Sequence, residues 1–330
     1  MKLQGARIFV TGSSGFIGGF LCNALLQQGG EVKVLIRSML DEAPMKNHGM
    51  IPILGDVNSP DILNHAINNC DIVCHLAVGI GKYDAAKKIN VEGIKNVLDA
   101  AHSGGVKKVV VISSIAVYGS DLPDLVEENY PLTKTGNPYE VTKAEAEQVV
   151  SDYREKYNLD ITIIRPTIVY GPKSPLWTIS LFDRVKNDEI ILIDKGNALM
   201  NLIYIDDLID LILKVIEHPE SINGTFHANN PEHVTWAEYL GELSKMLGKY
   251  PPKSISLRKA KYLKNYYLWQ YRFTRISGPL TGFDIREQQN KTLFSSKKAE
   301  LVLGFVPNIS FHTGMDKIKN WLLEEGYITS

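Results

Sequence analysis

The chain is short of the features that mark a specialised surface or compartment. Lys and Arg number 36 and Asp and Glu 37, a formal net charge of -1. That balance gives no reason to expect nucleic acid or another polyanion as a partner. There are only three cysteines, Cys22, Cys70 and Cys74. An odd, sparse set is no disulfide framework, and it fits buried thiols in a reducing, cytoplasmic setting. No stretch reaches the roughly 18 apolar residues of a spanning helix. The opening MKLQGARIFVTG lacks the apolar run of a signal peptide and enters a folded motif at once. Internal repeats and low-complexity tracts are missing as well, and no metal is expected. What remains is a chain of 330 residues, 44% hydrophobic and 22% charged. This is ordinary for a globular protein with a sizeable core, in one large or two interlocked domains.

The first half alternates short β-rich apolar runs (7–10, 32–36, 72–76, 109–112, 161–164) with stretches of helical spacing (16–28, 60–69, 85–102, 139–157). Strands apolar on both faces and separated by helices predict a doubly wound parallel α/β sheet of the dinucleotide-binding kind. After Gly171-Pro172 helices dominate. The expected division is a nucleotide-binding domain over 1–172, with 202–227 returning to it, and a smaller, mostly helical substrate domain over 173–330. A strand is expected at 202–205, followed by a helix over 206–218. Thr235 with Glu238 three residues on forms a capping-box signature.

The first strand runs into Gly12-Ser13-Ser14-Gly15-Phe16-Ile17-Gly18, and a helix follows. Gly12 permits the tight turn, Gly15 lets a pyrophosphate approach the backbone, and Gly18 allows close packing. Amides at the helix N-terminus then face the phosphates. A ligand-free glycine turn is the bland alternative, and the setting between strand and helix speaks against it. The second strand ends at Arg37, where NAD-binding folds usually carry an acid. A cation there attracts a 2′-phosphate, so NADP is expected over NAD, unless Arg37 is merely solvated. Asp56, in Gly55-Asp56-Val57, is placed to hold the adenine amino group.

Tyr139 and Lys143 share one helix face at i, i+4. Ser113 and Ser114 end the preceding strand, at the carboxyl edge where ligands bind. Hydride transfer at a carbon requires proton transfer at its oxygen. Tyr139 is the expected acid or base, helped by the Lys143 ammonium, and Ser114 holds the developing alkoxide.

These motifs resemble the extended short-chain dehydrogenase/reductases of the NAD-dependent epimerase/dehydratase superfamily. The likeness rests on TGSSGFIG (11–18), HLAV (75–78), NVEGIKNVLDAA (90–101), SSIAVYG (113–119), YEVTK (139–143), RPTIVYGP (165–172), YIDDL (204–208) and SSKKAELVLGFVP (295–307). The resemblance implies that Leu76, Ala77 and Val78 line the adenosine and pyrophosphate. It implies that Asn90 supports the active site, and that Pro166, Thr167 and Ile168 pass the nicotinamide. It also implies a homodimer built on helices 85–102 and 139–157. Nucleotide-sugar epimerases and dehydratases usually carry an Arg before the YIDD-like motif, and residues 196–201 contain none. The run 277–286 looks like the 3β-hydroxysteroid-dehydrogenase-like branch, and Arg37 looks like the NADP contact of dihydroflavonol-reductase-like members. The implied activity interconverts a secondary alcohol and a ketone on a small apolar substrate. A nucleotide-sugar epimerase or dehydratase with retained cofactor, and a non-catalytic NADP sensor, are the alternatives. Arg286 is either a second phosphate anchor or a salt-bridge partner.

One segment stands apart. Residues 253–275 contain seven cations, Lys253, Arg258, Lys259, Lys261, Lys264, Arg272 and Arg275, and no acid. Tyr262, Tyr266, Tyr267, Trp269, Tyr271 and Phe273 are interleaved with them. A cap helix, a lid over an apolar substrate and a peripheral membrane contact through 257–275 all fit this pattern.

Overall fold

Seven short apolar runs bond to one another in the computed structural model, which describes residues 1–157, 159–274 and 282–329. They are β1 (Arg7–Thr11), β2 (Glu31–Ile36), β3 (Ile51–Leu54), β4 (Ile72–His75), β5 (Lys108–Ile112), β6 (Asp160–Pro166) and β7 (Thr225–Ala228). All neighbours are parallel, in the order β7-β6-β5-β4-β1-β2-β3. Every residue of β4 and β5 is buried, as strands covered on both faces must be.

The pleat sends alternate side chains to opposite cores. Ile8, Val10, Val34 and Val110 enter one, with Leu21 and Leu25 of α1 (Phe16–Gln27). Phe9, Leu35, Val73 and Val109 enter the other, with Leu63 of α2 (Pro60–Ile67), Val97 of α3 (Gly93–Ser103) and Val150 of α4 (Pro138–Lys156). Each such side chain contributes roughly 1.5–3 kcal/mol when fully buried. The strand order reverses between β1 and β4, and that switch point opens a crevice at their carboxyl ends.

Three local expectations change. The helix expected over 85–102 is three pieces: Tyr83–Lys87, a π-turn at Lys88–Glu92, and α3. The strand at 202–205 is Leu202–Tyr204, and it pairs with Ile168–Tyr170 outside the main sheet. The strand that extends the main sheet at its edge is β7, which follows helix α5 (Ile205–Glu217). The Thr235–Glu238 capping box is present as expected. Buried Asp207 of the YIDDL motif accepts the amides of Asn308 and Ile309 at 2.8 and 3.2 Å, joining that motif to the C-terminal GFVP turn. Among the described residues no helix is long and apolar enough to cross a membrane. Arg275 and residues 277–281 of the C-terminal run lie outside the described residues.

Candidate active site

The loop after β1 is shaped by backbone proximity. Gly12 has φ +73°, and a Cβ there would sit 2.8 Å from the Ala77 amide. A Cβ on Gly18 would press 2.1 Å from the Gly12 carbonyl. These glycines draw the first turn of α1 against the chain leaving β4. Gly15 differs: its Cβ would meet only the Gly12 oxygen, at 3.2 Å, so its outer side is open. Gly15 caps α1 with no side-chain hydrogen bond, which leaves first-turn amides to face an anion. Gly15 is the position where a pyrophosphate could come close. A dinucleotide therefore fits this cradle.

The serines of the loop divide. Ser14 is exposed, whereas Ser13 is buried with its hydroxyl directed at the Leu35 carbonyl, 3.5 Å away. Only the backbone of Ser13 is left to serve a ligand. Phe16 and Ile17 are partly buried against the core. Thr11 Oγ1 accepts from the Leu76 and Ala77 amides at 3.2 Å each and bonds His75 Nδ1 at 3.0 Å. This fixes the second wall of the crevice. Leu76 and Ala77 are half-buried there and Val78 is exposed. Burial drives the His75 imidazole down to about 3, so it stays neutral.

Arg37 is exposed at the end of β2 and forms no ion pair among the described residues. Asp56 uses Oδ1 to accept from the Asn58 amide and side chain, at 2.9 and 2.8 Å. Val57 packs beneath Gly93, where a Cβ would lie 2.6 Å from its Cγ2.

Tyr139 and Lys143 lie in the first turns of α4. Pro138 stands in the first turn, and Asn137 and Glu140 form a reciprocal capping box. Ser114 lies near enough to the Tyr139 phenol to influence its proton affinity. Burial pushes that phenol above its ordinary value, and Ser114 opposes the rise. Lys143 Nζ donates to the Ile112 carbonyl at 2.8 Å. Burial brings its ammonium down to about 8, opposed by Glu147 one turn further along. Ser113 Oγ is buried with no partner among the described residues.

Asn90 touches none of these reacting groups. From the π-turn its Oδ1 accepts the Gly79 amide at 2.7 Å. Its Nδ2 donates to Gly79 O and Thr142 Oγ1, both at 2.9 Å. It fastens the β4 loop to α4. Thr167 is buried with its hydroxyl on the Ala228 carbonyl at 3.1 Å, beside Pro166 at the end of β6. Ile168 is half-buried in the strand that follows.

Two long-range pairings brace this region. Arg286 pairs with Glu140 at 2.6 Å, so it braces the cap next to Tyr139 and is engaged as a salt-bridge partner. Behind Lys143, Arg165 donates to both oxygens of Glu147 and to the Tyr118 hydroxyl, which bonds His227 Nε2. The Asn137-Pro138-x-Glu140 pattern signals the cap, but nothing local signals either long-range pair.

A cavity of 390 Å³ is lined by none of the residues just described. Ile193, Ala198 and Leu257 form its apolar lining, and Asp194, Asn197, Gln288, Gln289 and Lys291 its polar lining. Gln289 Nε2 is buried without a partner among the described residues. Helix α6 (Leu257–Thr274) packs by Leu257, Ala260 and Leu263 against Ile191, Ile193 and Ile285. Tyr262, Tyr266 and Trp269 are exposed on it.

Residues 8–229 match the NAD dependent epimerase/dehydratase family. The chain is 30% identical to the UDP-glucose 4-epimerase of Vibrio cholerae, over 73% of this chain and 76% of that protein. It is 27% identical to the 2-alkyl-3-oxoalkanoate reductase of Stenotrophomonas maltophilia, over 95% of this chain and 98% of that one. The UDP-glucuronic acid 4-epimerase of Bacillus cereus, solved in complex with NAD, shares the fold with a TM-score of 0.77. It is 22% identical, and the match covers 96% of each chain.

Proposed function

Because this chain belongs to the NAD dependent epimerase/dehydratase family, we propose that it reduces a ketone carried on an apolar molecule to the secondary alcohol. It is an NAD(P)-dependent enzyme of the oxidoreductase type. The observation that supports this chemistry is the buried Tyr139 phenol, near Ser114 and at the start of the helix that also carries Lys143. A protonated phenol is set to donate, which is what reduction asks of it.

A bound nicotinamide cofactor supplies the hydride. The open cradle at Gly15 and the first-turn amides of α1 hold its phosphates, Leu76, Ala77 and Val78 flank it, and Asp56 has one oxygen left for the adenine. Pro166, Thr167, Ile168 and Ser113 border its nicotinamide end. Ser114 and Tyr139 hold the substrate oxygen, and Tyr139 gives it a proton. Lys143, anchored on Ile112, places its remaining N–H donors beside the phenol and the ribose. The match to a reductase covers 95% of the chain, most of the C-terminal part included. An epimerase acting on a nucleotide sugar is the second reading, favoured by the 30% identity to the Vibrio protein. Against it, residues 196–201 offer no Arg and Arg286 is taken by Glu140.

Incubating the enzyme with ketones, sterols and nucleotide sugars, with NADPH or NADP⁺, separates the two. Net NADPH oxidation with an apolar ketone is expected. Product formed from a nucleotide sugar with no net change in cofactor would establish the second reading.

Arg37 sets a preference for NADP(H). Arg37→Ala is expected to remove a charge-assisted contact of about 1.5–3 kcal/mol, a roughly 10- to 150-fold loss of NADPH affinity. NADH affinity should hardly move. An unchanged ratio of kcat/KM for the two cofactors would show that Arg37 is only a solvated cation.

The protein is proposed to be a homodimer, paired through the outer faces of α3 and α4, where Val141 and Val149 remain half-exposed. Light scattering at micromolar concentration is expected to give twice the monomer mass. A monomer would refute the pairing.

A further inference from the structure

The outward face of α6 has a composition that the catalytic reading does not use. Ala260 and Leu263 turn inward, and Ala260 is fully buried. On the opposite side Tyr262, Tyr266 and Trp269 recur at i, i+4 and i+7, which aligns them along one stripe. They are 69%, 46% and 58% exposed. Arg258, Lys259 and Lys261, all exposed, stand beside the start of this stripe. No acidic residue occurs from Lys253 to Arg275, although the whole chain is nearly neutral. The positive charge is therefore local to this segment.

Aromatic rings left in water forfeit their burial energy, and adjacent cations repel one another unless something negative faces them. A surface that accepts rings at shallow depth and offers negative charge beside them satisfies both. The interfacial zone of a bilayer does so, since Trp and Tyr settle at headgroup level and anionic headgroups meet Lys and Arg. The geometry points to the outer face of α6 as a docking surface for a membrane carrying anionic lipid, with Tyr262, Tyr266 and Trp269 inserted among the headgroups. This docking is peripheral, and it does not depend on which carbonyl or sugar the active site handles.

Sedimentation with vesicles tests it on the full chain. Phosphatidylcholine vesicles containing about a third phosphatidylglycerol are expected to bind the protein, pure phosphatidylcholine vesicles far less, and high salt should release it as the charges are screened. Replacing Arg258, Lys259 and Lys261 by Gln is expected to weaken binding about 5-fold each, on the order of 100-fold together. A Tyr262→Ser, Tyr266→Ser, Trp269→Ser variant is expected to lose binding while keeping its thermal midpoint and NADPH affinity. Should that variant fail to fold, the charge variant decides alone. No binding to anionic vesicles, or binding that survives either set of changes, overturns the proposal. So does a molecular mass that falls in the serine variant while vesicles are ignored, because the face would then meet a second copy of the chain.

Discussion

Tyr139→Phe is expected to lower kcat for ketone reduction by about 10²- to 10⁴-fold, the span that one positioned acid contributes. The ring stays, so the packing at the start of α4 is kept. What goes is the only oxygen on that ring, the one that Ser114 influences. Cofactor affinity should be unchanged, because the glycine cradle and the wall at Leu76 are built on other elements. Fluorescence titration with NADPH checks this in the same preparation as the rate. In the unaltered enzyme, reduction should be level through neutral pH. It should then fall as the pH passes about 8, where buried Lys143 loses its proton and the charge beside the phenol disappears. The phenol, raised by burial, titrates later. Near-normal kcat in the Phe variant would remove Tyr139 from the chemistry.

The elements legible in the sequence are those whose signal is local. Strand β1, the glycine loop and α1 could be read because the apolar run, the turn and the helical spacing follow one another without interruption. The i, i+4 spacing of Tyr139 and Lys143 was readable for the same reason. The π-turn at Lys88–Glu92 was hidden, since one extra residue in a turn hardly disturbs the apolar repeat around it. Strand β7 was hidden because His227 breaks its apolar character. In the fold that imidazole is kept neutral by burial, near 3, with its Nδ1 bonded to the Ser295 carbonyl at 2.9 Å. Asn90 was read only as support for the site, and nothing local pointed to its bonds to Gly79 and Thr142. Arg286 is the sharpest lesson. A lone cation reads equally as ligand anchor or as salt bridge, and only the approach of two distant segments decides for Glu140.

The same kind of long-range pairing underlies the largest expected loss of stability. Arg165 and Glu147 are both about 95% removed from solvent, at 5% and 4% exposure. Arg165 joins β6 to α4 through three contacts to the carboxylate, from Nε at 3.0 and 3.1 Å and from Nη2 at 2.5 Å. Its Nη1 donates to the Tyr118 hydroxyl and to the Glu128 carbonyl, the latter at 2.8 Å. Two buried charges cost much to desolvate, and their mutual attraction with these hydrogen bonds offsets that cost only while both are present. Arg165→Met removes one and leaves a bare carboxylate in the interior. A loss of about 3–5 kcal/mol is expected, read from denaturant unfolding. Glu147→Leu should cost a similar amount, because a guanidinium is then stranded. The double variant should recover most of the loss, since neither charge remains to be solvated. Glu147 also raises the Lys143 value against the pull of burial. Any variant lacking that carboxylate should therefore show its alkaline fall in rate at lower pH than the unaltered enzyme. Single-variant losses that simply add in the double would mean the two groups do not act as a pair. An unmoved alkaline limb would mean that Lys143 takes no part in setting it.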